Sequence, residues 1–141
     1  MGILSYGPFA NDDALDWLLR LDHARGIEPV VQALRHATDA TNLYLDAHAA
    51  SVARAAAELA AALHGHPHGT LPETAADWVE MQRAAGRDLT GEGADHEVLV
   101  LATRALDLVG TSSELAELWS QREDVDHWEA ELDDLRMRLA G

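Results

Sequence analysis

Between Asp46 and Gly65 the chain reads Ala-His-Ala-Ala-Ser-Val-Ala-Arg-Ala-Ala-Ala-Glu-Leu-Ala-Ala-Ala-Leu-His, and this stretch constrains the fold more than any other. Alanine has the highest helix propensity, because it gives up no side-chain entropy on entering a helix. Val52, Ala56, Leu59 and Leu63 recur at steps of four, three and four, which draws one apolar stripe. Small side chains around that stripe let neighbouring helices come close, so this helix is expected at the centre of the molecule. The composition agrees: 48% of the 141 residues are hydrophobic, yet only 5% are aromatic. The expected fold is all-α: one domain over residues 1–141, an orthogonal bundle of about six helices with an N-terminal extended loop packed on it.

The remaining helices follow from periodicity and caps. The first is expected from about Asn11 to Asp22, with Leu15, Leu18 and Leu19 turned inward and Trp17 nearby; Gly26 is available for a left-handed cap after His23-Ala24-Arg25. A short second helix carries Pro29 in its first turn and Ile27, Val30, Val31 and Leu34 on its apolar face. Thr38 to Asn42 reads as a turn. A further helix opens at Leu71-Pro72-Glu73, carries Trp78, Val79 and Gln82, and ends before Gly86. The next is expected from Asp95 to Val109, stopping at Gly110. Its Val98-Leu99-Val100-Leu101 run would suit a strand, but Ala102, Ala105, Leu106 and Val109 keep helical spacing. Thr111-Ser112-Ser113-Glu114 has the capping-box pattern, with Glu114 reaching back to the Thr111 amide. It opens a helix bearing Leu115, Leu118 and Trp119. A break near Glu123-Asp124 precedes the last helix, where Trp128, Leu132, Leu135 and Leu139 face inward and Arg136 and Arg138 lie outside. Asp134 and Arg138 form an i,i+4 pair there.

The net charge is −15, and the ten basic residues are all arginine. Phosphate backbones and anionic lipid surfaces attract basic proteins, so neither nucleic acid nor a membrane is an expected partner. A basic protein partner would be steered in, and the same charge favours solubility. There is no cysteine, which excludes disulfides and thiolate metal sites. No stretch approaches a membrane span and no secretory signal is evident, so a cytoplasmic location is expected.

Several constellations could carry chemistry. Asp12-Asp13-x-x-Asp16 has the spacing of carboxylates that hold magnesium around a diphosphate. Its place at a helix N-terminus favours a different role: Asn11 caps the helix, and Asp12 and Asp13 complement the dipole. His64, His66 and His68, in His-Gly-His-Pro-His-Gly, could form a weak, adventitious zinc or nickel site. Asp88-Leu89-Thr90-Gly91-Glu92-Gly93 begins like a calcium loop, but Leu99 stands where the bidentate glutamate belongs. Glu58 lies mid-helix beside Leu59, as a surface partner of Arg54 or as a buried carboxylate accepting hydrogen bonds. Glu123 and His127 are an unspecific acid–histidine pair. Neither a serine elbow nor a phosphate-cradling glycine loop is present.

The opening Gly2 to Tyr6-Gly7-Pro8-Phe9-x-Asn11-Asp12-x-Ala14-x-Asp16-Trp17 resembles a bacterial family catalogued as domain of unknown function 4259. Ala55-Ala56-x-Glu58-x-x-Ala61-Ala62, Leu71-Pro72, Ser113-Glu114-Leu115-Ala116-Glu117-Leu118-Trp119 and the tail from Trp128 to Leu139 are similar to it too. Leu4 departs from the tryptophan that members often carry, and the three loop histidines match no family pattern. The resemblance implies no established activity. It does imply that Phe9, Asn11, Asp12, Asp16, Glu58 and Trp119 belong together, as a binding site or as a structural clasp in which Glu58 receives amides of the loop from Gly7 to Asp12.

Without a catalytic motif, the expected function is that of a small interaction domain, an immunity or adaptor factor, with no cofactor and with homodimerisation left open. The alternative is a metal-dependent hydrolase of a phosphorylated small molecule that uses Asp12, Asp16 and Glu58.

Overall fold

A computed structural model describes residues 7–9, 11–21, 26–39, 44–87, 89 and 96–141. Within them the protein is all-α, with seven helices: α1 Asp12–Leu19, α2 Glu28–Thr38, α3 Ala47–Leu63, α4 Glu73–Ala84, α5 His96–Thr111, α6 Glu114–Ser120 and α7 Val125–Ala140. No described helix is long and apolar enough to cross a membrane. The residues before Gly7, the His23-Ala24-Arg25 segment, residues 40–42 of the turn expected from Thr38 to Asn42 and most of the calcium-like segment lie outside the described residues. Thr38 belongs to α2, and α1 ends at Leu19, short of the expected Asp22.

α3 is the axis, and α1, α2, α4, α5, α6 and α7 all pack against it. From Ala53 to Leu63 every side chain is buried, so the helix has no solvated face along that length. Only a sequence this rich in alanine allows so many helices to surround one another without overpacking. Asp46 caps α3 by accepting from the Ala49 amide at 2.7 Å. At the other end Gly65 takes φ +96°, and the amides of Gly65 and His66 return to the carbonyls of Ala62 and Ala61. This is a Schellman turn, which satisfies the last carbonyls of the helix.

The entry to α3 is tied to the entry to α6. The Leu45 amide donates to the Ser112 carbonyl at 2.9 Å, and the Glu114 amide donates to the Leu45 carbonyl at 2.7 Å, which forms an isolated parallel bridge. The Glu114 carboxylate then accepts from the Ala47 amide at 2.8 Å. Here the structure corrects the expected capping box. Ser113, not Thr111, caps α6, accepting from Ala116 at 3.0 Å, and Glu114 serves α3 rather than its own helix. The shift arises because α5 runs on through Gly110 to Thr111 instead of stopping at the glycine. Gly110 lies against Leu132 and Arg136 of α7, where the small residue keeps the two helices close.

α1 also differs from expectation. Its buried residues are Ala14 and Leu18, whereas Leu15 is 37% and Leu19 69% exposed. With roughly 100° between successive residues, the i,i+4 pair Ala14 and Leu18 takes the inward face and rotates Leu15 and Leu19 onto its outer flank.

Two outcomes test this account. Ala56 is fully buried, so Ala56→Leu is expected to destabilise the fold by about 1–3 kcal/mol through overpacking, as urea denaturation would measure. Tyr44 donates its phenol proton to Glu117 Oε2 at 2.8 Å. That hydrogen bond, then desolvation and the charges of Glu117 and Glu114, push the phenol from 10.0 up to about 12. Because the folded value is raised, any stabilisation from the bond is present below pH 10 and lost as pH rises towards 12. An ultraviolet titration should show a phenolate step that late, and Tyr44→Phe should remove it.

Candidate functional site

Among the described residues, buried charge concentrates where α3, α7 and the histidine loop meet. Glu58 is 1% exposed, and its neighbour one turn earlier, Arg54, is 3% exposed. Arg138 reaches in from α7 and grips both carboxylate oxygens of Glu58, Nη1 to Oε1 at 2.5 Å and Nη2 to Oε2 at 2.9 Å. Its Nε donates to Asp134 at 2.7 Å, and Nη1 also reaches the His66 carbonyl at 3.3 Å. A guanidinium presents its donors in a planar fork, so one side chain can join a helix, a neighbouring helix and a loop at once.

The electrostatics follow from burial. Burial pulls the Arg54 guanidinium down to about 10, against the opposing charges of Glu58 and Glu131. Burial pulls Arg138 down as well, but the hydrogen bonds and charges of Glu58 and Asp134 outweigh it and hold its pKa above the usual value. Two guanidinium cations therefore surround one fully buried carboxylate, and Glu131 and Asp134 offset the remaining charge.

This corrects the expected position of Arg138, which turns inward rather than lying wholly outside on α7; its side chain is 14% exposed. Arg138 lies between Leu135 and Leu139 at the border of the buried stripe, and its long stem lets the head group reach Glu58. Among the described residues it is Arg138, not the amides of the loop from Gly7 to Asp12, that supplies the hydrogen bonds to Glu58.

The histidine loop is held to the same helix. His68 Nδ1 accepts from the Thr70 amide at 3.0 Å, so its Nε2 carries the proton and donates to Glu131 Oε2 at 3.2 Å. His64 Nδ1 donates to the Leu89 carbonyl at 2.8 Å. The rings of His64 and His66 meet edge to face with centroids 5.3 Å apart. The three imidazoles thus have separate engagements, and among the described residues no three His, Asp or Glu side chains form a group that could hold a metal.

The other residues singled out from the sequence take different positions. Asn11 is 5% exposed and accepts from the Ala14 amide at 2.9 Å, capping α1, while Asp12 and Asp13 occupy the first turn. Asp12 and Asp16 are exposed. Asp13 crosses to His48 Nδ1 at 3.0 Å, linking the starts of α1 and α3. Phe9 is buried in the core. Trp119 is fully buried and stacks on Trp128, with rings 5.9 Å apart and 5° from parallel, and the Arg122 guanidinium lies 5.0 Å from its ring. Glu123 and His127 are exposed.

Sequence reasoning missed Arg138 and a groove of about 410 Å³ between α1, α2 and α3, flanked by Trp17, Arg20, His36 and His48. No local spacing signals that groove, because three helices contribute to it.

The architecture defines a small all-helical domain held by a buried ionic clasp. The family model for the domain of unknown function DUF4259 matches residues 2–131, and the chain belongs to that family. Comparison with curated proteins and with solved structures returned no match.

The clasp has a measurable signature. Glu58→Ala leaves the buried Arg54 and the partly buried Arg138 without their common anion and should cost about 3 kcal/mol in urea denaturation. The paired exchange Glu58→Leu with Arg138→Met should cost less than Glu58→Ala alone, since an apolar pair leaves less charge uncompensated.

Proposed function

We propose that this protein is a non-catalytic, cytoplasmic interaction domain of the immunity or adaptor kind, and that it binds a basic protein through the outer flank of α1. One observation carries this reading. Leu15 and Leu19, one turn apart, are exposed on a helix whose exposed carboxylates Asp12 and Asp16 lie beside them. Exposed leucines give a partner apolar area to bury. The adjoining carboxylates and the net charge of −15 select a partner that surrounds its own apolar residue with Lys or Arg.

The internal ion pairs support the same reading. Both oxygens of Glu58 are held by Arg138 in a buried position. A metal-dependent hydrolase that recruited Glu58 to Asp12 and Asp16 would first have to strip away that guanidinium. Removing one partner of a buried pair costs about 3–5 kcal/mol, so the clasp argues for architecture rather than turnover.

The test is affinity capture from a lysate of the source organism, with the intact chain and with Leu15→Asp/Leu19→Asp as matched baits. The expected outcome is a basic protein retained by the first bait and lost from the second at unchanged melting temperature. Raising the salt should weaken the complex, because its charges are exposed. If both baits recover the same proteins, the proposed surface is wrong.

A further inference from the structure

On the opposite flank of α1 from Leu15 and Leu19, the groove between α1, α2 and α3 is lined by nitrogen groups within a strongly acidic chain. The protein carries 25 acidic and 10 basic residues, yet no described carboxylate lines this groove. Arg20 at the C-cap of α1, His36 from α2 and His48 from α3 contribute nitrogen groups to it, and Leu21, Ala33 and Val52 give it apolar walls. Arg20 is exposed and has no salt bridge among the described residues. The nearest acid with a contact to the lining is Asp13, at 3.0 Å from His48 Nδ1. That contact occupies one ring nitrogen of His48 and leaves Nε2 for another partner.

Trp17 adds a second, independent indication. The other three tryptophans, Trp78, Trp119 and Trp128, are all buried at 2% exposure or less, as core tryptophans are. Trp17 instead packs only partly against the core and contributes to the groove wall. An indole there offers a flat surface for stacking, and a guanidinium three residues later can meet an anionic group carried by the stacked ring. A volume of about 410 Å³ suits a small organic molecule, and ligand sites commonly combine mostly apolar walls with a few placed polar groups.

We propose that this groove binds a small organic anion with a flat aromatic body, the ring lying along Trp17 and the anionic group directed to Arg20 and the two histidines. The site is separate from the partner surface of α1 and does not depend on it. Carboxylate and phosphate heads share the required chemistry, and paired probes tell them apart.

The experiment titrates the intact protein by calorimetry and tryptophan fluorescence with four probes of one ring system: naphthoate, naphthyl phosphate, the neutral naphthalenemethanol and the cationic naphthylmethylamine. At least one anion is expected to bind with a submillimolar Kd, roughly tenfold or more tighter than the alcohol and the amine. The tighter of the two anions identifies the head group. Arg20→Gln should weaken that anion by roughly tenfold at an unchanged melting temperature, and Trp17→Phe should abolish the fluorescence response while calorimetry still reports binding. The proposal is overturned if neither anion binds below about 1 mM. It is equally overturned if the alcohol or amine binds as tightly, or if Arg20→Gln leaves the anion's affinity unchanged.

Discussion

A helix buried on every side must keep most of its side chains small, and α3 is such a helix from Ala53 to Leu63, where alanine predominates. Six neighbours pack against it, and alanine is what allows them to come close. The same burial makes the two ionisable residues of this stretch, Arg54 and Glu58, expensive unless each is compensated from inside the protein. Arg138 meets that demand for Glu58, and in doing so it sets how α7 and the loop after α3 are arranged. The clasp is therefore a consequence of the close packing rather than an independent ornament of the site.

Much of the architecture was legible because local signals and tertiary need agreed. The spacing of apolar residues in α4 and α7 reports their buried faces, and Asn11 reads as a cap from its type and place. Where expectation failed, a nonlocal contact decided the outcome. Leu15 and Leu19 look like core residues by composition, but Ala14 and Leu18 already occupy the inward face of α1. Gly110 looks like a helix stop, yet α5 continues because the glycine serves close approach to α7. Glu114 looks like its own helix's cap, yet it bonds the Ala47 amide far back in the chain.

The candidate site was less legible than the fold. Glu58 stood out as a charge among alanines, but its partner lies on another helix, and an arginine beside a leucine stripe reads equally well as a surface residue. The family resemblance grouped Phe9, Asn11, Asp12, Asp16, Glu58 and Trp119, and the structure gives them distinct roles in cap, core, surface and clasp. The groove beside Trp17 depends on the relative placement of three helices, which no motif of a few residues encodes.

The distance along the chain between the two halves of the clasp has a consequence for biosynthesis. Arg138 follows Glu58 by 80 residues, and at roughly 5–20 residues per second a ribosome needs on the order of several seconds to supply it. During that interval α3 can form locally and α5 and α6 are made, but the Glu58 carboxylate has no Arg138 to accept from. Arg54, one turn earlier on the same helix, is already present, but the carboxylate still lacks the bidentate partner that offsets its burial. The two-pronged grip on Glu58 thus closes only once α7 has been made, so an element late in synthesis completes the burial of a helix made long before it.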